Sequence, residues 1–206
     1  MSTRRHFLTA AAVAASVQIV PRHVLGGPNH TAPSEKLNIA GIGFGGMGSH
    51  NLAMCARTEH IAALCDVDHN YARKVFMQYP DAKRFHDYRE LLTSDVDFDA
   101  VVIATPDHTH AVISSASMHK GKHVYCQKPL THDAHESRVL ARIAKQTGVS
   151  TQLGIQGHSG EGRMLVSEWI WDGAIGEIAE VEAWCSLSYA PHGHASWSSP
   201  CSDRPT

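Results

Sequence analysis

The chain has 206 residues, 43% of them hydrophobic and 18% charged, which is the balance of an ordinary globular protein. Its 18 Lys and Arg against 20 Asp and Glu give a formal net charge of −2, so no basic surplus is present to bind a polyanion, and we expect no nucleic-acid partner. The five cysteines are odd in number and contain no CxxC pair, so neither a disulfide framework nor a zinc site is indicated.

The first 33 residues predict an export signal followed by a linker. Arg4 and Arg5 form a twin-arginine pair, and a mostly apolar run over 7–20 follows before Pro21. The run is shorter than the roughly 20 residues that a helix needs to cross a bilayer, so a stable membrane span is the weaker interpretation. We therefore expect residues 1–33 to be a Tat signal and linker, and the protein to be exported to the periplasm.

Short apolar runs typical of buried parallel strands recur from residue 37 onward. They alternate with segments of helical character, which is the arrangement of a doubly wound α/β sheet. The predicted strands are 37–42, 61–67, 100–104, 123–126 and 149–153. We therefore predict a Rossmann-type doubly wound parallel sheet, with a dinucleotide-binding domain over residues 34–154.

A glycine-rich segment follows the first predicted strand. It matches G-x-G-x-x-G at Gly41, Gly43 and Gly46. On this alignment Gly41 permits a tight turn, Gly43 lets the backbone approach a pyrophosphate, and Gly46 allows close packing of helix on strand. The residues predicted to bind the dinucleotide here are Gly41, Gly43, Phe44, Gly45, Gly46 and Met47.

Asp66 lies at the end of the second predicted strand, about 20 residues beyond Gly46. A carboxylate at this position accepts hydrogen bonds from the hydroxyls of the adenosine ribose. It would also repel a 2′-phosphate, so the sequence favours NAD over NADP as the cofactor.

A helix predicted over 132–146 is the clearest of the helical segments. Thr131 or Asp133 can cap its start, and Gly148 closes it. Its apolar residues recur with helical spacing, so one face is expected to pack on the sheet.

The pattern changes after residue 157. A helix is predicted over 162–172, closed by Gly173, and alternating residues over 178–186 then predict a strand with one wet face. We therefore expect residues 155–206 to be the beginning of a C-terminal α+β domain for substrate and oligomer contacts, incomplete in this chain.

Two further motifs give the chain a family resemblance. A Thr-Pro-x-x-x-His segment, with Thr105, Pro106 and His110, follows the third predicted strand, and Gln127, Lys128 and a proline follow the fourth. With the glycine segment before them, these motifs resemble the Gfo/Idh/MocA family of oxidoreductases. The resemblance implies that all five residues lie at the cofactor, with Lys128 also near the substrate. The commonest form of the family has glutamate in place of Gln127.

The resemblance covers about residues 36–186 and implies a nicotinamide dinucleotide-dependent oxidoreductase. Hydride transfer would take place at a hydroxyl or carbonyl of a small sugar, cyclitol or glycoside, with Gln156 and His158 facing the substrate and the complete protein forming a homo-oligomer. One alternative is NAD-assisted glycoside hydrolysis within the same family. Another is a catalytically incomplete dinucleotide-binding fragment.

The position of Lys128 in the sequence also favours a catalytic role independently of the family resemblance. A lysine after a parallel strand, followed by a proline that prevents further pairing, points into the crevice where α/β sheets bind ligands. There its ammonium can hold a substrate hydroxyl or, with its pKa lowered by burial, help to remove the hydroxyl proton.

No metal site is expected. The sequence contains His-x-His pairs at His108 and His110 and at His192 and His194. No carboxylate or cysteine completes a recognised ligand set around them.

Overall fold

The computed structural model describes residues 31–182. The chain divides into two compact units, Met1–Gln156 and Gly157–Thr206, and each is described by itself. The predicted Tat signal lies almost entirely outside the described residues. Within the described part, no helix is long and apolar enough to cross a membrane.

The first unit is built on one parallel sheet of six strands in the order β3-β2-β1-β4-β5-β6. This order confirms the predicted doubly wound sheet. The strands are β1 (Asn38–Ile42), β2 (His60–Cys65), β3 (Lys83–Phe85), β4 (Ala100–Ile103), β5 (His123–Gln127) and β6 (Thr151–Gly154). The sequence pattern did not predict β3, because this edge strand has three residues and two of them are exposed charged side chains.

Helices connect the strands in the first unit, and a single α-helix is described in the second. The α-helices are α1 (Met47–Cys55), α2 (Arg73–Gln78), α3 (Tyr88–Thr93), α4 (His110–His119), α5 (Ala134–Thr147) and, in the second unit, α6 (Glu161–Trp171). Along the sequence, each of α1 to α5 connects one strand to the next. Because the strands are parallel, each helix returns the backbone to the edge of the sheet where the next strand begins.

The core of the first unit forms two clusters, one on each face of the sheet. Alternate residues of one strand enter different clusters: Ile39 packs with Phe44 and Leu52, whereas Ala40 and Ile42 pack in the other cluster. The same alternation holds in β4. Since successive side chains of a strand point to opposite faces, both faces of the sheet are covered, as a doubly wound fold requires.

Helix α5 shows how local chemistry sets the ends of an element. Of the two candidate caps, Asp133 is the one used: its Oδ1 accepts a hydrogen bond from the backbone N–H of Glu136 at 2.9 Å. Gly148 ends the helix with φ of 70°, a left-handed conformation that glycine adopts without a side-chain clash. The helix therefore begins two residues later than predicted and ends as predicted within one residue.

The second unit confirms the predicted helix but not the strand after it. Helix α6 begins and ends within one residue of the predicted 162–172, and Gly173 follows with φ of 74°. Residues 178–182 form no strand, and the rest of the predicted strand over 178–186 lies outside the described residues. A strand is stable only when a neighbour accepts its backbone hydrogen bonds, and the described part of this unit contains no other strand.

Candidate functional site

The residues that follow the strands gather at one edge of the sheet. Gly43 follows β1, Asp66 follows β2, Thr105 lies just after β4, and Lys128 follows β5. All strands are parallel, so these residues share the carboxyl edge. Strands β1 and β4 are neighbours although β2 and β3 lie between them in sequence. Such a reversal of strand order opens a crevice, the usual ligand site in this architecture.

The glycine segment turns at Gly43 rather than at Gly41. Gly43 directly follows β1 with φ of 76°, and a Cβ placed on it would lie 2.7 Å from Thr105 Cγ2. Gly41 lies inside β1, where a Cβ would lie 2.7 Å from Leu52 Cδ1 of α1. Gly41 therefore allows a helix side chain to pack on the strand, and its predicted role in the tight turn is wrong.

Close packing of helix on strand is the role of Gly48, not of Gly46. A Cβ on Gly48 would collide with the carbonyl oxygen of Gly43 and lie 3.0 Å from Ala104 Cβ, whereas a Cβ on Gly46 would meet nothing within 4 Å. The predicted packing role of Gly46 is therefore wrong, and the prediction missed Gly48. The segment contains two overlapping G-x-G-x-x-G matches, and the geometry fits the second: Gly43, Gly45 and Gly48.

Asp66 is held against this glycine loop. Its Oδ2 accepts a hydrogen bond from the backbone N–H of Phe44 at 2.9 Å, and its Oδ1 accepts one from the N–H of Asp68 at 2.9 Å. The side chain is half-buried. The carboxylate is thus fixed beside the glycine loop, where each oxygen keeps a lone pair for a ribose hydroxyl.

Tyr71 covers the glycine loop from outside and was not predicted. Its ring lies so close to Gly45 that a Cβ there would collide with the ring carbons, yet the side chain remains 67% exposed. Its backbone N–H donates to Asp68 Oδ1 at 2.9 Å, which places the ring at the start of α2. An aromatic residue five positions after Asp66, the carboxylate predicted to bind the ribose, was the available sequence signal.

The Thr-Pro turn after β4 packs beside the loop that carries Lys128. The link between them is His110, the first residue of α4, whose side chain is 1% exposed. Its Nδ1 lies 2.6 Å from the carbonyl oxygen of Pro129, and its Nε2 lies 2.8 Å from the carbonyl oxygen of Thr105. The predicted direct contact of His110 with the cofactor is not supported, because both ring nitrogens are bonded to the protein.

The surroundings of His110 favour its charged form. Burial opposes the charge, but the neighbouring Cys126 side chain and the hydrogen bonds to the carbonyl oxygens of Pro129 and Thr105 favour it, and the net effect raises the pKa of His110 to about 9. A carbonyl oxygen only accepts hydrogen bonds, so two carbonyl partners require both ring nitrogens to be donors. The two carbonyl partners and the raised pKa of His110 both favour an imidazolium.

Lys128 lies at the predicted place but is not buried. Its side chain is exposed at the carboxyl end of β5, and no salt bridge among the described residues involves it. The burial that we expected to promote the neutral amine is therefore absent here. Among the described residues, no side chain forms a salt bridge with Lys128 that would have to break before a ligand binds.

Gln127 and Gln156 are joined in a polar cluster. Gln156 Nε2 lies within hydrogen-bond distance of Gln127 Oε1 at 2.9 Å, Tyr125 Oη at 3.0 Å and Asn51 Oδ1 at 3.2 Å. Gln127 is buried at the end of β5, directly before Lys128. The amide of Gln156 is therefore engaged within the first unit, and its predicted contact with a substrate stays a prediction.

His158 belongs to the second unit, where its side chain is exposed and its carbonyl oxygen accepts a hydrogen bond from Arg163 Nη1 at 3.4 Å. Its predicted role toward a substrate also stays a prediction. Over residues 31–182, no group of three or more His, Cys, Asp or Glu side chains could hold a metal ion.

Together, a glycine cradle, a fixed carboxylate and a strand-order crevice define a dinucleotide-binding Rossmann unit. The profile of the Gfo/Idh/MocA family, described as an oxidoreductase family with an NAD-binding Rossmann fold, matches residues 37–155. The chain belongs to this family.

Three known relatives illustrate the similarity. The chain is 28% identical to levoglucosan dehydrogenase of Pseudarthrobacter phenanthrenivorans over 70% of this chain and 39% of that protein. It is 30% identical to inositol 2-dehydrogenase of Salmonella paratyphi B over 69% of this chain and 43% of that protein. It is 26% identical to a glycosyl hydrolase family 109 protein of Shewanella putrefaciens over 87% of this chain and 45% of that protein.

The fold is also that of a solved dehydrogenase. The structure of myo-inositol 2-dehydrogenase from Lactobacillus plantarum superposes with a TM-score of 0.64 at 22% identity, over 69% of this chain and 43% of that one. The chain therefore spans less than half the length of the relatives that it matches.

Proposed function

We propose that this chain is the NAD-binding part of a dehydrogenase that oxidises a hydroxyl, or reduces the matching carbonyl, of a sugar or cyclitol. The observation that carries the proposal is the convergence of the glycine loop, Asp66, the Thr-Pro turn and Lys128 at one edge of the sheet. The dehydrogenases of levoglucosan and inositol among the relatives support this substrate class.

The glycine loop fits a dinucleotide. The positions at Gly43, Gly45 and Gly48 have no room for a Cβ, so bare backbone lines the loop. Gly46 caps α1 without a side-chain hydrogen bond, which leaves the first N–H groups of the helix available for a pyrophosphate. Asp66 is placed to accept the ribose hydroxyls and disfavours a 2′-phosphate, so the proposed cofactor is NAD rather than NADP.

In the proposed reaction Lys128 acts on the substrate oxygen. A bound nicotinamide supplies or accepts the hydride. Because Lys128 is exposed, its side chain can exchange a proton with solvent before the substrate binds. The deprotonated amine then orients the substrate hydroxyl and takes its proton when the substrate is oxidised. In the reduction the ammonium returns that proton to the oxygen.

Two measurements test this function. Titration of the chain with NADH and NADPH should show tighter binding of NADH. In the complete protein, NAD-dependent oxidation of a panel that includes inositols and levoglucosan should fall by about 10²–10⁴-fold in a Lys128→Ala variant, with cofactor affinity nearly unchanged. Lys120→Ala, at an exposed lysine beyond α4, is the matched control. Full turnover in the Lys128→Ala variant would exclude Lys128 from the chemistry.

A second candidate is NAD-assisted cleavage of a glycoside, in which the redox step is reversed within each turnover. The glycosyl hydrolase family 109 relative supports it, since that alignment extends over 87% of this chain. Release of sugar without net formation of NADH would favour this candidate. Cofactor binding without either reaction would favour the fragment interpretation.

We also propose that the protein is exported by the Tat route. The support is the arginine pair at Arg4 and Arg5 before an apolar run. Replacing both arginines by lysine should keep the protein in the cytoplasm, measured by cell fractionation. Export of the lysine variant at the normal level would exclude this route.

A further inference from the structure

One buried side chain joins the Thr-Pro turn, Thr105 and Pro106, to the Lys-Pro turn, Lys128 and Pro129. His110 Nε2 bonds the carbonyl oxygen of Thr105, two residues after β4, and its Nδ1 bonds the carbonyl oxygen of Pro129 after β5. Pro129 directly follows Lys128, so the imidazole holds the peptide next to the proposed catalytic lysine. At 1% exposure, water cannot replace either bond.

This bridge requires the charged imidazole. A neutral ring has one donor nitrogen and would place its other lone pair against a carbonyl oxygen at less than 3 Å. The ionisable side chain that faces the ring is the Cys126 thiol of β5. The positive end of α4 also faces the ring, because His110 is the first residue of that helix, and it opposes the charge. The two carbonyl oxygens offset this cost.

We infer that His110 is a positioning residue that ties the Lys-Pro turn to the Thr-Pro turn and thereby fixes where the Lys128 amine lies. The inference rests on the proposed function only in giving Lys128 a catalytic role. The contact between His110 and Pro129 involves neither cofactor nor substrate.

The bridge can be tested in the wild-type chain by nitrogen-15 NMR of the imidazole. The expected result at pH 7 is two ring N–H signals from His110, both protected from solvent exchange. A single ring N–H at this pH would overturn the inference, because one of the two bonds would then be missing.

Two variants test what the bridge does to Lys128. His110→Leu removes both donors, and His110→Gln keeps an amide that can donate to one or both carbonyl oxygens. In the leucine variant we expect the amides of Lys128, Leu130 and Thr131 to exchange with deuterium about tenfold faster, since each lost hydrogen bond to a charged group is worth at least that factor. The glutamine variant should restore part of the protection.

The amine itself provides a second readout. Labelling of Lys128 by an amine-reactive reagent, followed by mass spectrometry, should change in rate in His110→Leu and return toward the wild-type rate in His110→Gln. His108→Leu is the matched control, because His108 is exposed two residues away. Unchanged exchange and unchanged labelling in a folded His110→Leu variant would overturn the inference.

The two proposals fail in different measurements. If the chain does not bind NADH, the proposed function fails while exchange and labelling still report on His110. If NADH binds but the His110 variants change neither the amide exchange of the Lys-Pro turn nor the labelling of Lys128, the positioning role alone fails. Should His110→Leu not fold, the NMR experiment and the glutamine variant still decide the question. In an active holoenzyme, the glutamine variant should lower kcat more than it raises KM.

Discussion

The Asp66 carboxylate accepts the backbone N–H of Phe44 at 2.9 Å, so the residue proposed to select the cofactor also shapes the glycine loop. The peptide N–H of Asp68 bonds its other oxygen. Discrimination between NAD and NADP and the conformation of the loop therefore depend on the same side chain.

Asp66→Ala should affect both properties. We expect the preference for NADH over NADPH to disappear in titrations, because the charge that disfavours the 2′-phosphate is removed. The free energy of unfolding should fall by about 1–3 kcal/mol, measured by urea denaturation, since the part-buried N–H of Phe44 loses its acceptor, whereas the exposed N–H of Asp68 can bond water instead. Asp81→Ala, at an exposed carboxylate, should change neither. A retained NADH preference would contradict the role of Asp66.

Gly48→Ala should be far more damaging than Gly46→Ala. The added methyl group at Gly48 would collide with the Gly43 carbonyl oxygen and push α1 away from the sheet, at a cost of about 1–3 kcal/mol typical of overpacking. The methyl group at Gly46 has open space. Denaturation midpoints and NADH affinity of the two variants check the assignment. Equal effects of the two substitutions on stability and NADH affinity would contradict the assignment of the packing role to Gly48.

Tyr71→Ala should accelerate cofactor binding. The ring lies on Gly45, on the surface that a pyrophosphate must approach, so it has to move before the cofactor binds. The contact is exposed and apolar, so we expect an increase of a few-fold in the association rate, by stopped-flow fluorescence of NADH. Met77→Ala, at a side chain that is 69% exposed on α2, is the control. Slower or weaker binding would instead show that the ring contacts the bound cofactor.

Stability should depend on pH through His110. Its pKa rises from 6.5 in the unfolded chain to about 9 in the folded one, so its contribution is complete below about pH 6.5 and is lost as the pH rises through 9. The expected loss is roughly 3 kcal/mol relative to His110→Gln, since each pKa unit corresponds to about 1.4 kcal/mol. Urea denaturation of both proteins between pH 6 and 9.5 measures the difference. Parallel curves would show that the ring is neutral when folded.

The strands and helices were largely predictable, because the spacing of apolar residues and the local composition indicate them within a short stretch of sequence. Apolar runs identified β1, β2, β4, β5 and β6, whereas β3 is too short and too charged to stand out. Asp133 and Gly148 delimit α5 by chemistry that is readable in sequence.

The geometry of the site was less predictable. Two overlapping glycine patterns have the same sequence signal. They are distinguished by the turn at Gly43, by the packing of Gly48 on Gly43 and by the open space at Gly46. The burial of His110 and the exposure of Lys128 depend on which loops meet across strands distant in sequence. Contacts between loops do not produce a periodic pattern in the sequence, so the sequence did not predict them.

The polar cluster around Gln156 determines where the first unit can be shortened without damage. Gln156 is the last residue of that unit, and its amide supplies the hydrogens for Gln127 Oε1 at the end of β5. A recombinant chain cut after Gly154 would leave this buried carbonyl without its donor, although all six strands would remain. A chain cut after Gln156 keeps the bond, so the boundary for an isolated cofactor-binding unit lies two residues beyond the last strand.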